Sequence, residues 1–127
     1  MLGDADVTAM VAVKDLDEAT AFYEKTLGLT RIGENPAGFE YRSGTSKLMV
    51  YVSEFAGSNR ATSAVWHVDD VEGTVRGLKA KGVAFERYDH LPGLTRNGDV
   101  HEAGPFRIAW FKDPTGNIFE VNNGVPS

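Results

Sequence analysis

Asp113-Pro114-Thr115-Gly116-Asn117-Ile118-Phe119-Glu120 reads as a tight reversal that feeds a strand. Proline presets φ for the turn and Gly116 is free to take a positive φ. Residues 107–111 and 117–122 therefore become the arms of a terminal hairpin. An early stretch answers this one: Val13-Lys14-Asp15-Leu16 runs through Phe22-Tyr23 to Leu27-Gly28. Between these two landmarks the same pattern is written twice.

In the first copy, residues 7–13 carry β-branched side chains at alternate positions, the mark of a buried strand. Asp15 follows as a helix cap, and Glu18 three residues on completes a capping-box pattern. Leu16, Ala19, Phe22, Tyr23 and Leu27 recur at helical spacing, and Gly28 supplies the stop. Strands are expected near residues 29–33, 39–42 and 47–52, with turns at Asn35-Pro36-Ala37-Gly38 and Ser43-Gly44-Thr45-Ser46. The second copy is offset by about 55 residues, the kind of self-similarity that marks a repeat. Its strand covers 64–68, its cap is Asp69-Asp70, its helix stripe is Val71, Val75 and Leu78, and Gly82 ends the helix. Residues 83–87 give the next strand.

The expected architecture is α+β, with two tandem βαβββ modules in a single domain spanning 1–127. Module one covers about 5–53, a polar linker 54–62, and module two about 63–123. Residues 88–104 break the repeat: they read as one long irregular loop holding Pro92, His90 and His101. Loops of that length in compact domains tend to be lids or disordered. Tyr88, Leu91 and Leu94 favour a lid, since those apolar groups would otherwise sit in water.

Composition narrows the function classes. The 127 residues are 42% hydrophobic and 24% charged, with a net charge of −5, as in ordinary globular domains. A negative chain without a Lys/Arg run argues against nucleic acid and against an anionic membrane surface. Cysteine is absent, which removes disulfides, thiolate metal sites and cysteine nucleophiles. The first residues lack a signal-peptide pattern, and no stretch reaches the ~20 apolar residues of a membrane span. A cytoplasmic protein is the expectation.

The pattern Val13-x-Asp15-Leu16…Phe22-Tyr23…Leu27-Gly28, its echo at Val68-Asp69-Asp70, and Phe111-x-Asp113-Pro114-x-Gly116-Asn117 together resemble the vicinal oxygen chelate superfamily. That group covers glyoxalase I, bleomycin-resistance proteins, extradiol dioxygenases and fosfomycin-resistance transferases. The resemblance spans nearly the whole chain. It implies curved mixed sheets around a cleft, usually completed in a homodimer.

Side chains alternate across a strand, so one assignment sets the others. With Val7, Ala9, Val11 and Val13 under the helix, the first strand offers Thr8, Met10 and Ala12 to the cleft. The fourth offers Met49, Tyr51 and Ser53; the fifth offers Ser63, Val65 and His67, leaving Trp66 in the core. Ile108 and Trp110 face the cleft beside Ile118, Glu120 and Asn122. Metal enzymes of the superfamily carry a ligand on each of four such strands, commonly His, Glu or Gln, His and Glu. The resemblance maps those positions onto Thr8, Tyr51, Ser63 and Glu120. Only the last keeps a ligand type, and neutral hydroxyls are poor substitutes, so no resident metal or other cofactor is expected.

The leading expectation is a metal-free homodimer that holds a planar or aromatic small molecule in a sheet cleft. Its contacts would come from Thr8, Met10, Met49, Tyr51, Ser63, Val65, Ile108, Trp110 and Asn122, with Trp110 and Tyr51 as aromatic walls. The alternative is an enzyme, a lyase, isomerase or dioxygenase. It would use Glu120 with His67 for proton transfer, or one divalent ion held by His90 and His101 with His67 or Glu120. Arg107 is the expected ion-pair partner of Glu120. A third reading is a family member that serves only protein interaction.

Overall fold

A computed structural model describes residues 1–124; Val125, Pro126 and Ser127 lie outside the described residues. The chain divides at Ser58/Asn59 into two compact units, within the stretch expected as a linker. Among the described residues no helix is long and apolar enough to cross a membrane.

The first unit holds β1 (Ala9–Val13), α1 (Leu16–Thr20), β2 (Thr30–Asn35), β3 (Gly38–Ser43) and β4 (Ser46–Val52). The sheet order is β1-β4-β3-β2, with β1 and β4 parallel and the other pairs antiparallel. Asp15 caps α1: its Oδ1 accepts from the backbone N–H of Asp17 at 2.8 Å and Glu18 at 3.0 Å. The helix continues as a π-helical stretch, Ala21–Thr26, where the Leu27 N–H reaches the Phe22 carbonyl at 2.9 Å. Gly28, at φ +75°, then ends it, a conformation other residues resist.

The helix face and one face of the sheet bury Val11, Val13, Ala19, Phe22, Tyr23, Tyr41, Leu48 and Val50. The strand starts later than the alternation predicts. Val7 lies before β1 and is 91% exposed, because no neighbouring strand pairs with it: the β1–β4 ladder begins at Ala9↔Leu48. Phe55, apolar enough to suggest a core position, is 74% exposed.

A polar bolt ties the π-helical stretch to the sheet. Glu24 Oε2 accepts from Arg31 Nε at 2.9 Å, again from Arg31 Nη2, and from the Tyr41 hydroxyl at 2.8 Å. Arg31 also lies 3.7 Å over the Phe39 ring. Burial pushes the Tyr41 phenol up to about 12, and its bond to the Glu24 carboxylate adds to the rise.

The second unit holds β5 (Thr62–His67), α2 (Val71–Ala80), β6 (Phe85–Glu86), β7 (Thr95–Asn97), β8 (Val100–Ala103), β9 (Phe106–Lys112) and β10 (Ile118–Asn122). β5 and β10 are parallel at the position that β1 and β4 occupy in the first unit, and β9 follows antiparallel. The segment expected as one irregular loop contains the β7–β8 hairpin. β8 pairs with the Phe106–Ile108 end of β9 while β6 pairs with Trp110 and Phe111. One edge of β9 is therefore shared by two short strands placed end to end, and the second module is a βαβββ unit enlarged by a hairpin. The signal was weak because the two strands are three and four residues long, too short for alternation to show. The core packs Val71 and Val75 of α2 with Ala109, Phe111, Phe119 and Val121. Trp66 stacks on Phe111 at 6.4 Å and meets Phe119 edge-on at 5.3 Å, on the core side as expected.

The β9–β10 reversal is knotted by one carboxylate. Asp113 Oδ1 accepts from Gly116 N–H at 2.9 Å and Asn117 N–H at 2.7 Å, and Oδ2 accepts from Asn117 Nδ2 at 2.9 Å. Gly116 takes φ +107°. Asp113 and Asn117 are 4% and 5% exposed, so these donors have little access to water.

Asp113→Ala should therefore destabilise the protein by about 2–3 kcal/mol, the cost of stranding buried donors, measured as a shift in urea midpoint at unchanged slope. Tyr41 generates a pH prediction. Its folded pKa is raised, so its contribution is fully present below 10.0 and is lost as pH rises through about 12. Stability should fall across that window, and less steeply in Tyr41→Phe.

Candidate functional site

Strand pairing assembles the site in the second unit. Val65, Glu120, Trp110 and Glu86 are successive partners across β5, β10, β9 and β6. His67, Asn122, Ile108, His101 and Arg96 form the next row across β5, β10, β9, β8 and β7. Since partners share a face and residues two apart on one strand do too, both rows lie on the side opposite the Phe111–Phe119 core.

A directed hydrogen-bond chain runs along this face. Trp110 Nε1–H donates to Glu120 Oε1 at 3.0 Å and Asn122 Nδ2 donates to Glu120 Oε2 at 2.7 Å. Asn122 Oδ1 accepts from the Gly124 backbone N–H at 3.0 Å. A carboxylate only accepts and a backbone N–H only donates, so these two partners leave the Asn122 amide one orientation. His67 Nδ1 lies 3.0 Å from Asn122 Oδ1 and must then be the donor. In the neutral ring the lone pair then falls on Nε2, on an exposed side chain. Glu120 has a donor on each oxygen, an arrangement suited to holding Trp110 and Asn122 still. Arg107, the expected partner of Glu120, instead lies 3.3 Å from Glu72 and 3.5 Å from Glu102.

Beside this network is an open cavity of about 300 Å³. It is lined by Trp110 and Ile118 from the β9–β10 hairpin, by Arg60 and Thr62 at the start of β5, and by Tyr88, His90 and Leu91. Tyr88 meets the Trp110 ring edge-on at 5.2 Å. Its backbone N–H donates to Nε2 of the fully buried His101 at 3.0 Å, and the His101 ring lies 4.8 Å from Trp110. His101 Nδ1 has no partner among the described residues. Burial, helped by the Glu86 charge, raises the Tyr88 phenol above its usual range, so it stays protonated at neutral pH. Tyr88 packs on Trp110 of the sheet, and Leu91 lines the same cavity.

A β-bulge alters one assignment. Ile118 pairs with Thr62 and Phe119 with Ala64, so Ser63 is the extra residue and the alternation shifts there. Thr62, not Ser63, reaches the cavity. Strict period-two counting from Val65 hid this; the polar Asn59–Thr62 run gave no signal of it.

In the first unit, Met10↔Met49 and Ala12↔Tyr51 are partners, and Glu40 and Gly38 continue those rows. Met10 is 58% exposed and Met49 8%. Thr8 lies before β1 rather than in it, beside Lys47 and Asp6 in a separate open cavity of about 440 Å³.

A profile of the glyoxalase/bleomycin resistance protein/dioxygenase superfamily matches residues 7–121. The chain belongs to that superfamily. Solved structures agree on the fold. A glyoxalase family protein from Enterococcus faecalis superposes with TM-score 0.73 at 16% identity, covering 96% of this chain and 99% of that one. A lactoylglutathione lyase from Agrobacterium tumefaciens gives 0.68 at 19% identity, covering 94% and 92%. TnmS3, an antibiotic binding protein from a Streptomyces species, gives 0.64 at 21% identity, covering 94% and 96%. At these identities the likeness concerns the fold alone. Among curated protein sequences nothing matches the chain.

Superfamily membership raises the question of a metal, and this donor set does not fit one. By position in the sheet, the first-unit counterpart of Glu120 is Met49, not Tyr51: each is the partner of the residue two before the end of its parallel neighbour's inner row, Val65 and Met10. A thioether, a bulged Ser63 and a carboxylate already gripped by two donors make a poor set for a divalent ion. Among the described residues no three His, Asp or Glu side chains are grouped to hold one. The relocated site built on His101 fails separately, since its Nε2 is used by Tyr88 and its Nδ1 is buried.

The network makes a spectroscopic prediction. Two-bond 1H–15N spectra should show neutral His67 protonated on Nδ1, and Asn122→Ala should release that preference. An Nε2–H form in the unaltered protein would contradict the direction of the chain.

Proposed function

We propose that this superfamily member is a metal-free binder of a planar small molecule, seated in the second-unit cavity against Trp110. The observation that carries the reading is the immobilised indole. Glu120 takes its N–H, and Tyr88 and His101 pack edge-on against its ring at 5.2 and 4.8 Å. A platform held in place before binding loses little entropy when a ring stacks on it. Glu120, Asn122 and His67 act in this reading as the framework behind the platform, while Ile118 and Thr62 line its edge. That a fold neighbour is an antibiotic binding protein is consistent with such a role.

The protein in this reading is a homodimer. Val65 at 40% and Met10 at 58% exposure leave apolar side chains on the same faces as Trp110 and Met49. A second copy covering those faces would bring Met10, Met49, Tyr51, Val65 and Ile108 into the ligand environment. Sedimentation at micromolar concentration should give twice the chain mass; a monomer there would remove the dimer from the proposal.

One observation favours a second reading, acid–base chemistry. His67 is oriented by Asn122 with Nε2 free, and Asn122 is oriented by Glu120, the geometry of a supported base. Glu120 already accepts one hydrogen bond on each oxygen and serves that base as its support.

Titration of polycyclic aromatic compounds, followed by calorimetry and thermal shift, tests the binding reading. Saturable binding is expected, with Trp110→Ala weakening it at least tenfold and Trp66→Phe leaving it unchanged. Metal content after chelator-free purification should be far below one ion per chain. Stoichiometric metal, or no binding by any aromatic probe, would overturn the proposal.

A further inference from the structure

Around the Trp110 cavity, the carboxylates and cations are unequally matched. Glu86 is taken by Lys112 at 2.9 Å, and Asp89 by Arg96 at 2.6 and 3.2 Å. Asp99 is taken by Lys79 at 2.6 Å and Arg87 at 2.9 Å. Glu120 is taken by Trp110 and Asn122. Arg60 has no carboxylate partner among the described residues, and His90 lines the same cavity. In a chain with 18 acidic and 13 basic residues, this one cavity is lined by a cation, an imidazole and neutral groups, with no carboxylate.

The polar groups that a ligand meets are also restricted. Trp110, 9% exposed, has spent its only donor on Glu120 and presents only the open part of its ring to the cavity. Tyr88 stays a neutral phenol, since burial and the nearby Glu86 charge both oppose its ionisation. A stacked ligand therefore finds donors from Arg60, His90, Thr62 and Tyr88 and no carboxylate among the lining residues, while Glu86 behind them is neutralised by Lys112.

We infer that the occupant of this cavity is a planar aromatic carboxylate, its rings on Trp110 and its carboxylate directed to Arg60 and His90. The inference rests on the binding reading above and adds the charge of the ligand to it. Guanidinium and carboxylate match in a two-point geometry that a lone hydroxyl or ammonium does not reproduce. Because Arg60 is exposed, the gain is that of a partly solvated pair, about fivefold in affinity, and it should be sensitive to salt.

Three ring-matched probes distinguish the outcomes on the full-length chain by calorimetry: 2-naphthoate, 2-naphthylmethanol and 2-naphthylmethylammonium. 2-Naphthoate should bind at least about fivefold more tightly than the alcohol, with the ammonium weakest. High salt and Arg60→Gln should each erase that advantage while leaving the alcohol's affinity unchanged. Equal binding of all three, or preference for the ammonium, would overturn the anionic assignment and leave the aromatic cavity standing. Arg60→Gln with the carboxylate preference intact would do the same. No binding by any of the three would take down both this inference and the reading beneath it.

Discussion

The three hydrogen bonds that Asp113 accepts inside the β9–β10 turn govern everything that follows. A two-residue slip in that reversal would keep the faces but move every partner, and a one-residue slip would send Glu120 into the core and Phe119 into water. Because Asp113 and Asn117 are buried, the register Glu120↔Trp110 is enforced by the cost of breaking these bonds. The indole platform, and through Asn122 the orientation of His67, inherit that register.

From there the site is built by subtraction of freedom. Glu120 resembles a catalytic acid when met as a letter in a strand, yet each of its oxygens holds a donor. What is left facing the cavity is the Trp110 ring with Arg60 and His90. The β7–β8 hairpin supports the site from behind. By pairing with β9 it carries His101 under Tyr88, and the bond from the Tyr88 N–H to His101 holds the phenol against the indole. A segment that reads as a loose lid is thereby tied to the sheet at its base.

The first unit shows what the repeat looks like without these additions. The same parallel pairing brings Met10 to Met49, a thioether row where the second unit has Val65 and Glu120. Its half-buried polar cluster, Glu24 with Arg31 and Tyr41, joins the π-helical stretch to the sheet. The two copies share a frame but not a chemistry, which is why superfamily membership by itself says little about what is bound.

Sequence alone determined the duplicated frame, because caps, glycine stops and the Asp113–Asn117 turn are local devices whose partners lie within four residues. It also determined which strand faces Trp66, Trp110, Glu120 and Asn122 occupy, since alternation needs only one correct anchor. Tertiary structure decided the rest. The bulge that substitutes Thr62 for Ser63, the late start of β1 that excludes Thr8, and the equivalence of Met49 with Glu120 all depend on pairing between strands far apart in the chain. The β7–β8 hairpin is too short to announce itself, and His101 becomes buried only because β9 has an edge left open beyond β6. Local spacing cannot encode such pairings, for their energies arise only when distant segments meet.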